Sequence, residues 1–220
     1  MKLMFNKLRT LFAVVIIIIC GAANADYENV AIREHVMQGM DMILNGNVYE
    51  IQAETSKMEF RVDSPIGDIW ASFQDFEGRF LMLNSGRDHE LATIDINAGS
   101  LDTNGGLIGA MLKSESFFDV ENFPSMHFTG SSFRWYSARR AVLTGHMTIK
   151  NITRQVAFYV ELVDAEADNR YSDRITVMAS TTIRRSEFGI DTLLPAVSDN
   201  VNLFMSIDAQ KKDDISISMR

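Results

Sequence analysis

The sequence predicts an all-β fold: an eight-stranded antiparallel barrel preceded by an N-terminal helix, with a short loop or helix segment near residues 106–119. Three observations carry this prediction. Runs with a two-residue apolar period recur from Met58 to Ile207, turn signals rich in Asn, Asp, Gly and Ser separate them, and phenylalanine, at fourteen residues, falls repeatedly on the alternating faces. Strands with one apolar face each must close on themselves or stack, and long strands with an aromatic lining favour closure.

At the N terminus, Lys2, Lys7 and Arg9 precede an uncharged run from Leu11 to Cys20, and Ala23-Asn24-Ala25 supplies a small-x-small cleavage pattern. Residues 1–25 are therefore expected to be a signal peptide cleaved after Ala25. An uncleaved anchor fits less well, because the run is shorter than the roughly 20 residues a spanning helix needs. Lipidation at Cys20 fits less well too, because Ile19 stands where a small residue is required. Loss of the leader takes the formal charge from −8 to −11 and removes Cys20, the one cysteine. An exported domain without cysteine rests on its hydrophobic core, and such an acidic one is unsuited to nucleic acid or to anionic membrane surfaces.

Residues 26–47 form the expected helical extension. Val36, Met37, Met40, Ile43 and Leu44 recur at three- and four-residue spacing, and Asn45-Gly46-Asn47 would end the helix. From residue 48 to 212 the period is two. Met58, Phe60 and Val62 alternate with Lys57, Glu59 and Arg61; Ile69, Ala71 and Phe73 follow the Ser64-Pro65 turn; Ile94 and Ile96 come next. The pattern returns in Val156, Phe158, Val160 and Leu162, in Ile175, Val177 and Ala179, and in Val201, Leu203, Met205 and Ile207. Residues 213–220 are left as a tail. With Phe128, these apolar faces are the candidate lining of an internal cavity. Each position alone suits plain core packing, and only their number argues for a cavity.

Motifs that carry chemistry are absent. There is no phosphate-cradling glycine loop, no two-histidine zinc helix and no GxSxG elbow. His35, His89, His127 and His146 are scattered. His35 with Met37, Met40 and Met42 has the composition of a soft-metal site but fits an adaptable apolar helix face better, and Asp88-His89-Glu90 fits a solvated loop. No catalytic residue, metal or cofactor is expected. Arg184-Arg185 and Arg139-Arg140 are basic pairs suited either to an anion or to keeping sheet edges soluble.

Several motifs in order resemble one family. Ser100-Leu101-Asp102-Thr103, Leu112-Lys113-Ser114 with Phe117-Phe118-Asp119 and Phe123-Pro124, Thr144-Gly145-His146-Met147-Thr148-Ile149 and Arg185-Ser186-Glu187-Phe188-Gly189-Ile190 resemble the YceI-like, lipocalin-like polyisoprenoid-binding proteins of the bacterial periplasm. The resemblance runs from Tyr49 to about Lys211. It implies a lipocalin-like barrel that holds an isoprenoid or similar long-chain amphiphile and has no catalytic residue. In that reading Phe117 and Phe118 cover one end of the cavity, Met111 is a further ligand-binding candidate, and Lys113 and Arg185 are candidates to meet a polar head group.

The chain departs from the family pattern at two polar clusters. Gln52 and Thr55-Ser56 stand where members carry Asp and a His-Ser pair, and Ile108-Gly109-Ala110-Met111 replaces an Arg-Asp-x-His-like run. Positions that become apolar together point to a ligand with a less polar head or a different tail. The N-terminal helix, unusual for the family, is expected to cover one opening or edge. The alternative to a lipid carrier is an accessory protein docking on a membrane redox or quinone-handling partner; an enzyme acting on bound lipid is the weakest reading.

Overall fold

The computed structural model describes residues 46–83, 92–103, 105–163 and 172–212. The expected signal peptide, the extension helix with its His35 and methionine set, Asp88-His89-Glu90 and the 213–220 tail lie outside the described residues.

Eleven strands, one α-helix and two short 3-10 helices (Ala98–Ser100 and Arg185–Phe188) are described: β1 (Gly46–Ile51), β2 (Lys57–Val62), β3 (Ile69–Phe73), β4 (Phe76–Leu83), β5 (Ala92–Asn97), β6 (Leu101–Thr103), α1 (Gly106–Lys113), β7 (Ser125–Trp135), β8 (Arg140–Ile149), β9 (Ile152–Leu162), β10 (Arg174–Arg184) and β11 (Asn200–Lys211). Every pairing is antiparallel, in the order β1-β4-β5-β7-β8-β9-β10-β11-β2-β3-β6, and β11 also pairs with β1. That last pairing closes the sheet.

The eleven segments make eight staves. β1 continues into β2, β3 into β4 and β5 into β6, each across a short break, because β4 pairs with β1 while β3 pairs with β2, and β4 pairs with β5 while β3 pairs with β6. The breaks sit side by side. Gln52 accepts from the amides of Thr55 and Ser56 at 3.2 and 3.0 Å, Asn97 donates from its amide to Asp75 O at 3.0 Å, and Gln74 N reaches Ser100 O at 3.3 Å. Ser56 Oγ accepts from Asp208 N at 2.9 Å, and Gln52 N donates to Asp208 O at 2.8 Å, so β11 stays bonded past the interruption. The fold is thus the expected eight-stranded antiparallel barrel. Its first stave begins at Gly46, so Gly46 and Asn47 are strand residues and not the turn read from Asn45-Gly46-Asn47.

Strand directions define two poles. One carries the hairpin connection 63–68, α1 and the turns after it, the Lys150-Asn151 turn and the segment 185–199. The chain enters at Gly46 and leaves at Lys212 at the other, which also carries the 136–139 turn. Lys150 and Asn151 have φ values of 49° and 62°, the pattern of a two-residue type I′ hairpin. Among the described residues no helix is long and apolar enough to cross a membrane.

Candidate functional site: an apolar cavity inside the barrel

Alternation turns one face of each stave inward. In β7 Met126, Phe128 and Phe133 are buried while Ser125, His127 and Thr129 are exposed; in β9 Val156, Phe158, Val160 and Leu162 are buried. The inward faces do not meet completely. They enclose a cavity of about 560 Å³, within the range of small-molecule sites.

The expected residues converge on it. Met58, Phe60 and Val62 from β2, Ile69 and Phe73 from β3, Ile94 and Ile96 from β5, and Phe128 from β7 line the cavity. Phe158 and Val160 from β9, Val177 from β10 and Val201, Leu203 and Met205 from β11 complete the wall, with Met111, Phe117, Phe118 and Arg185 toward one pole. Val156 and Ile175 are buried but stand outside the lining. Lys113 is also outside it, half-buried in the last turn of α1. Sequence reading missed Phe80 and Met82 of β4 and Leu143, Met147 and Ile149 of β8. The β8 residues follow the same two-residue period as the rest, whereas in β4 Gly78 on the cavity face and the apolar Leu81 on the other mask it.

The segment 105–124 caps one pole. Thr103 Oγ1 donates to Gly105 O at 2.8 Å where α1 begins. After α1 the chain folds back on it: Phe118 N donates to Leu112 O, Asp119 N to Ser114 O and Val120 N to Lys113 O, at 2.9–3.1 Å. This return drives the Phe118 ring against Phe60 and edge-on to Phe73, each with centroids 6.0 Å apart. Phe117 is buried beside it. Asp119, with φ 51°, is buried at the turn and accepts from Asn122 Nδ2 at 3.0 Å, while Thr192 Oγ1 ties the cap to the neighbouring segment through Ser116 O at 2.8 Å.

Arg185 is only 6% exposed, and its guanidinium faces carbonyls. Nε donates to Ser198 O at 2.8 Å, Nη1 to Ile190 O and Thr192 O at 2.9 and 2.8 Å, and Nη2 to Val197 O at 3.0 Å. Four of its five N–H donors therefore hold the segment 190–198. Burial pulls its pKa below the ordinary arginine value, with Asp199 and Asp191 opposing; it stays a cation. Asp199 is held below the usual carboxylate range, first by the amide of Ser186 at 2.9 Å and further by Ser186 Oγ at 2.8 Å and the charges of Arg185 and Arg184, against a desolvation cost.

A barrel with this connectivity and an apolar interior matches a known family. The YceI-like domain model covers residues 49–209. The chain belongs to the YceI-like family. It is 28% identical over 140 residues to a UPF0312 protein of Enterobacter sp. (strain 638), covering 64% of this chain and 72% of that one, and 27% identical over 140 residues to Protein YceI of Salmonella arizonae, covering 64% and 73%. Among solved structures, Burkholderia cenocepacia BcnA superposes with a TM-score of 0.66 at 18% identity, over 73% of this chain and 99% of that one. A polyisoprenoid binding domain from Saccharophagus degradans superposes with a TM-score of 0.57 at 14% identity, over 74% and 98%.

Within the YceI-like frame the two departures acquire positions. Gln52 and Ser56 serve the break between β1 and β2 through bonds to backbone groups, and Ile108 and Met111 line the cavity from α1. On the exposed face of β7, Ser125 Oγ lies 3.1 Å from His127 Nε2, and His127 Nδ1 is hydrogen-bonded to Asp95 Oδ1; of the three, His127 is also among the residues that border the cavity. This is the order of a serine-hydrolase relay. Its side chains stand exposed, however, on the face of β7 opposite the buried Met126 and Phe128. Its parts come from different strands, so spacing alone could reveal only the Ser125/His127 pair. Among the described residues no three His, Asp or Glu side chains converge as metal ligands.

Proposed function

We propose that this protein is a non-enzymatic periplasmic carrier or sequestering protein for a long-chain apolar or amphiphilic lipid of polyisoprenoid type, exported by a signal peptide cleaved after Ala25. The observation that carries the reading is the apolar cavity. A space of about 560 Å³ lined almost wholly by apolar side chains favours a hydrocarbon occupant, whose burial gains roughly 0.8 kcal/mol per CH₂. Apolar voids stay dry, so a hydrocarbon chain and not water fills such a space.

Two further observations shape the ligand. The solved Saccharophagus structure is described as polyisoprenoid-binding, which supports the lipid class. Arg185 has most of its donors bonded to carbonyls, and Ile108 and Met111 occupy the capped pole, which supports an uncharged head group such as an alcohol or quinone. Native mass spectrometry of the protein purified from its own host tests the reading: a bound lipid without a pyrophosphate is expected, and an empty barrel or a pyrophosphate lipid would overturn it.

The second reading, an accessory protein docking on a membrane redox or quinone-handling partner, is supported by the outer wall. Tyr159, Met178 and Phe204 are exposed beside one another on β9, β10 and β11, and Trp70 stacks on Phe204 at 5.8 Å. It expects one stoichiometric partner in membrane pull-downs and no lipid in the pure protein.

A further inference from the structure

We propose that the capped pole is a membrane-docking rim, which seats on the neutral interface of a lipid bilayer so that lipid passes between leaflet and cavity without crossing water. The proposal rests on the lipid-binding reading above. Ile66 is 83% exposed, Leu107 86% and Leu193 50%, and Met111 stands exposed one helical turn from Leu107. These same four side chains also line the cavity. A residue that faces both solvent and the interior belongs to a mouth, and here three separate elements place an apolar residue on it: the β2–β3 connection, α1 and the segment after Arg185.

Charge settles the occupant. The stretches 64–67, 105–112 and 192–198 that form the rim contain no charged side chain, in a chain of net charge −8. Charges flank these stretches without interrupting them: Lys113 ends α1, Asp191 and Asp199 bound the stretch 192–198, Lys150 reaches the Glu115 carbonyl beside the cap, Asp63 and Asp68 are ion-paired with Arg61, and Arg184 with Glu187. The opposite pole carries Arg139, Arg140, Asp173, Arg174, Lys211 and Lys212. A neutral apolar ring on an acidic body avoids repulsion from a leaflet and gives electrostatics no part in holding it there. Continuity matters equally. A cargo insoluble in water must enter and leave through hydrocarbon, and the rim joins the apolar interior to whatever the mouth rests on. Leu193 adds to the case, because a branched side chain with φ 65° occupies left-handed backbone space unfavourable to it while remaining half in water.

The test places an environment-sensitive fluorophore at one pole or the other of the protein isolated after export, through Leu107→Cys at the rim or Ala138→Cys at the far pole, each the single cysteine once the leader with Cys20 is gone. Phosphatidylcholine vesicles with acyl-chain-brominated phosphatidylcholine report depth. The expected result is a blue shift and several-fold stronger quenching for the rim probe alone, unchanged by salt. Equal quenching at both poles, quenching at neither, or a rim-probe shift that needs no vesicles and grows with protein concentration, as in rim-to-rim pairing of two copies, would overturn the proposal. Ile66→Ser/Leu107→Ser/Leu193→Ser, verified as folded by near-UV circular dichroism, should transfer a fluorescent isoprenoid alcohol to vesicles several-fold more slowly; an unchanged rate counts against docking. Bound lipid is scored separately by mass spectrometry, so a barrel that docks while empty refutes the carrier reading and not the rim.

Discussion

Arg185 lines a hydrophobic cavity while directing most of its donors away from it. A basic pair next to a strand end reads in sequence as a group for an anion, but the carbonyls that Arg185 satisfies lie at Ile190, Thr192, Val197 and Ser198, in a segment without regular structure. Backbone acceptors leave no trace in residue identity, so this role was not legible. Arg185→Met should cost about 3 kcal/mol or more in urea unfolding, because several shielded carbonyls lose their donors at once. Arg185→Lys should rescue little of that, since one ammonium cannot reproduce the planar fork. The neighbouring Asp199 gives a pH signature. Its pKa is depressed in the folded state, so its contribution is present above the unfolded value near 3.9 and lost as pH falls through the folded one. Asp199→Asn should therefore be the less stable protein at pH 6, with the gap narrowing only as pH falls from the unfolded value through the depressed folded one, below which both forms are neutral. At Leu193 the expected sign is opposite: Leu193→Gly should raise stability by about 0.5–1 kcal/mol by relieving the left-handed backbone, even as it strips the rim of an apolar side chain.

At the scale of elements, alternation located the strands whose two faces differ in polarity and missed what geometry alone decides. β2 is legible because charged and apolar residues take turns along it, and β9 and β11 because Val156, Phe158, Val160 and Leu162, and Val201, Leu203, Met205 and Ile207, recur at every second position. The three aligned breaks at 52–56, 74–75 and 98–100 were not, since each consists of ordinary polar residues whose meaning comes from the stave beside it. The glycines of β7 and β8 behave likewise. Gly130 and Gly145 face each other across the ladder on the inner wall, and a Cβ at Gly145 would lie 2.5 Å from both Phe128 Cζ and Thr129 O. One of these contacts is backbone and cannot swing aside. Gly145→Ala should cost about 1–3 kcal/mol by overpacking, seen as a lower denaturation midpoint. It should also weaken lipid retention, because the Phe128 ring it displaces forms part of the cavity wall against Phe158, whose centroid is 5.2 Å away.

For the whole molecule the question is where a domain with a large internal space finds its stability. Much of the lining was legible as a collective excess of inward apolar positions, but whether those side chains meet or leave a gap depends on the closure of eight staves, which no single residue encodes. An occupant that binds only the folded barrel must add to its stability by mass action. At a free concentration a hundred times its dissociation constant the gain is about 2.7 kcal/mol, and for a domain of this size each kcal/mol shifts the melting temperature by roughly 2–4 °C. Protein stripped of lipid by organic extraction and refolded should thus melt about 5–10 °C below the protein as isolated, and adding back a neutral isoprenoid alcohol should restore the difference. A short-chain alcohol of the same head group should restore much less, because hydrophobic burial scales with the apolar area the chain brings into the cavity. If the stripped barrel instead melted at the same temperature, its side chains would have to collapse into the space on their own, and the lining would be core and not a binding site.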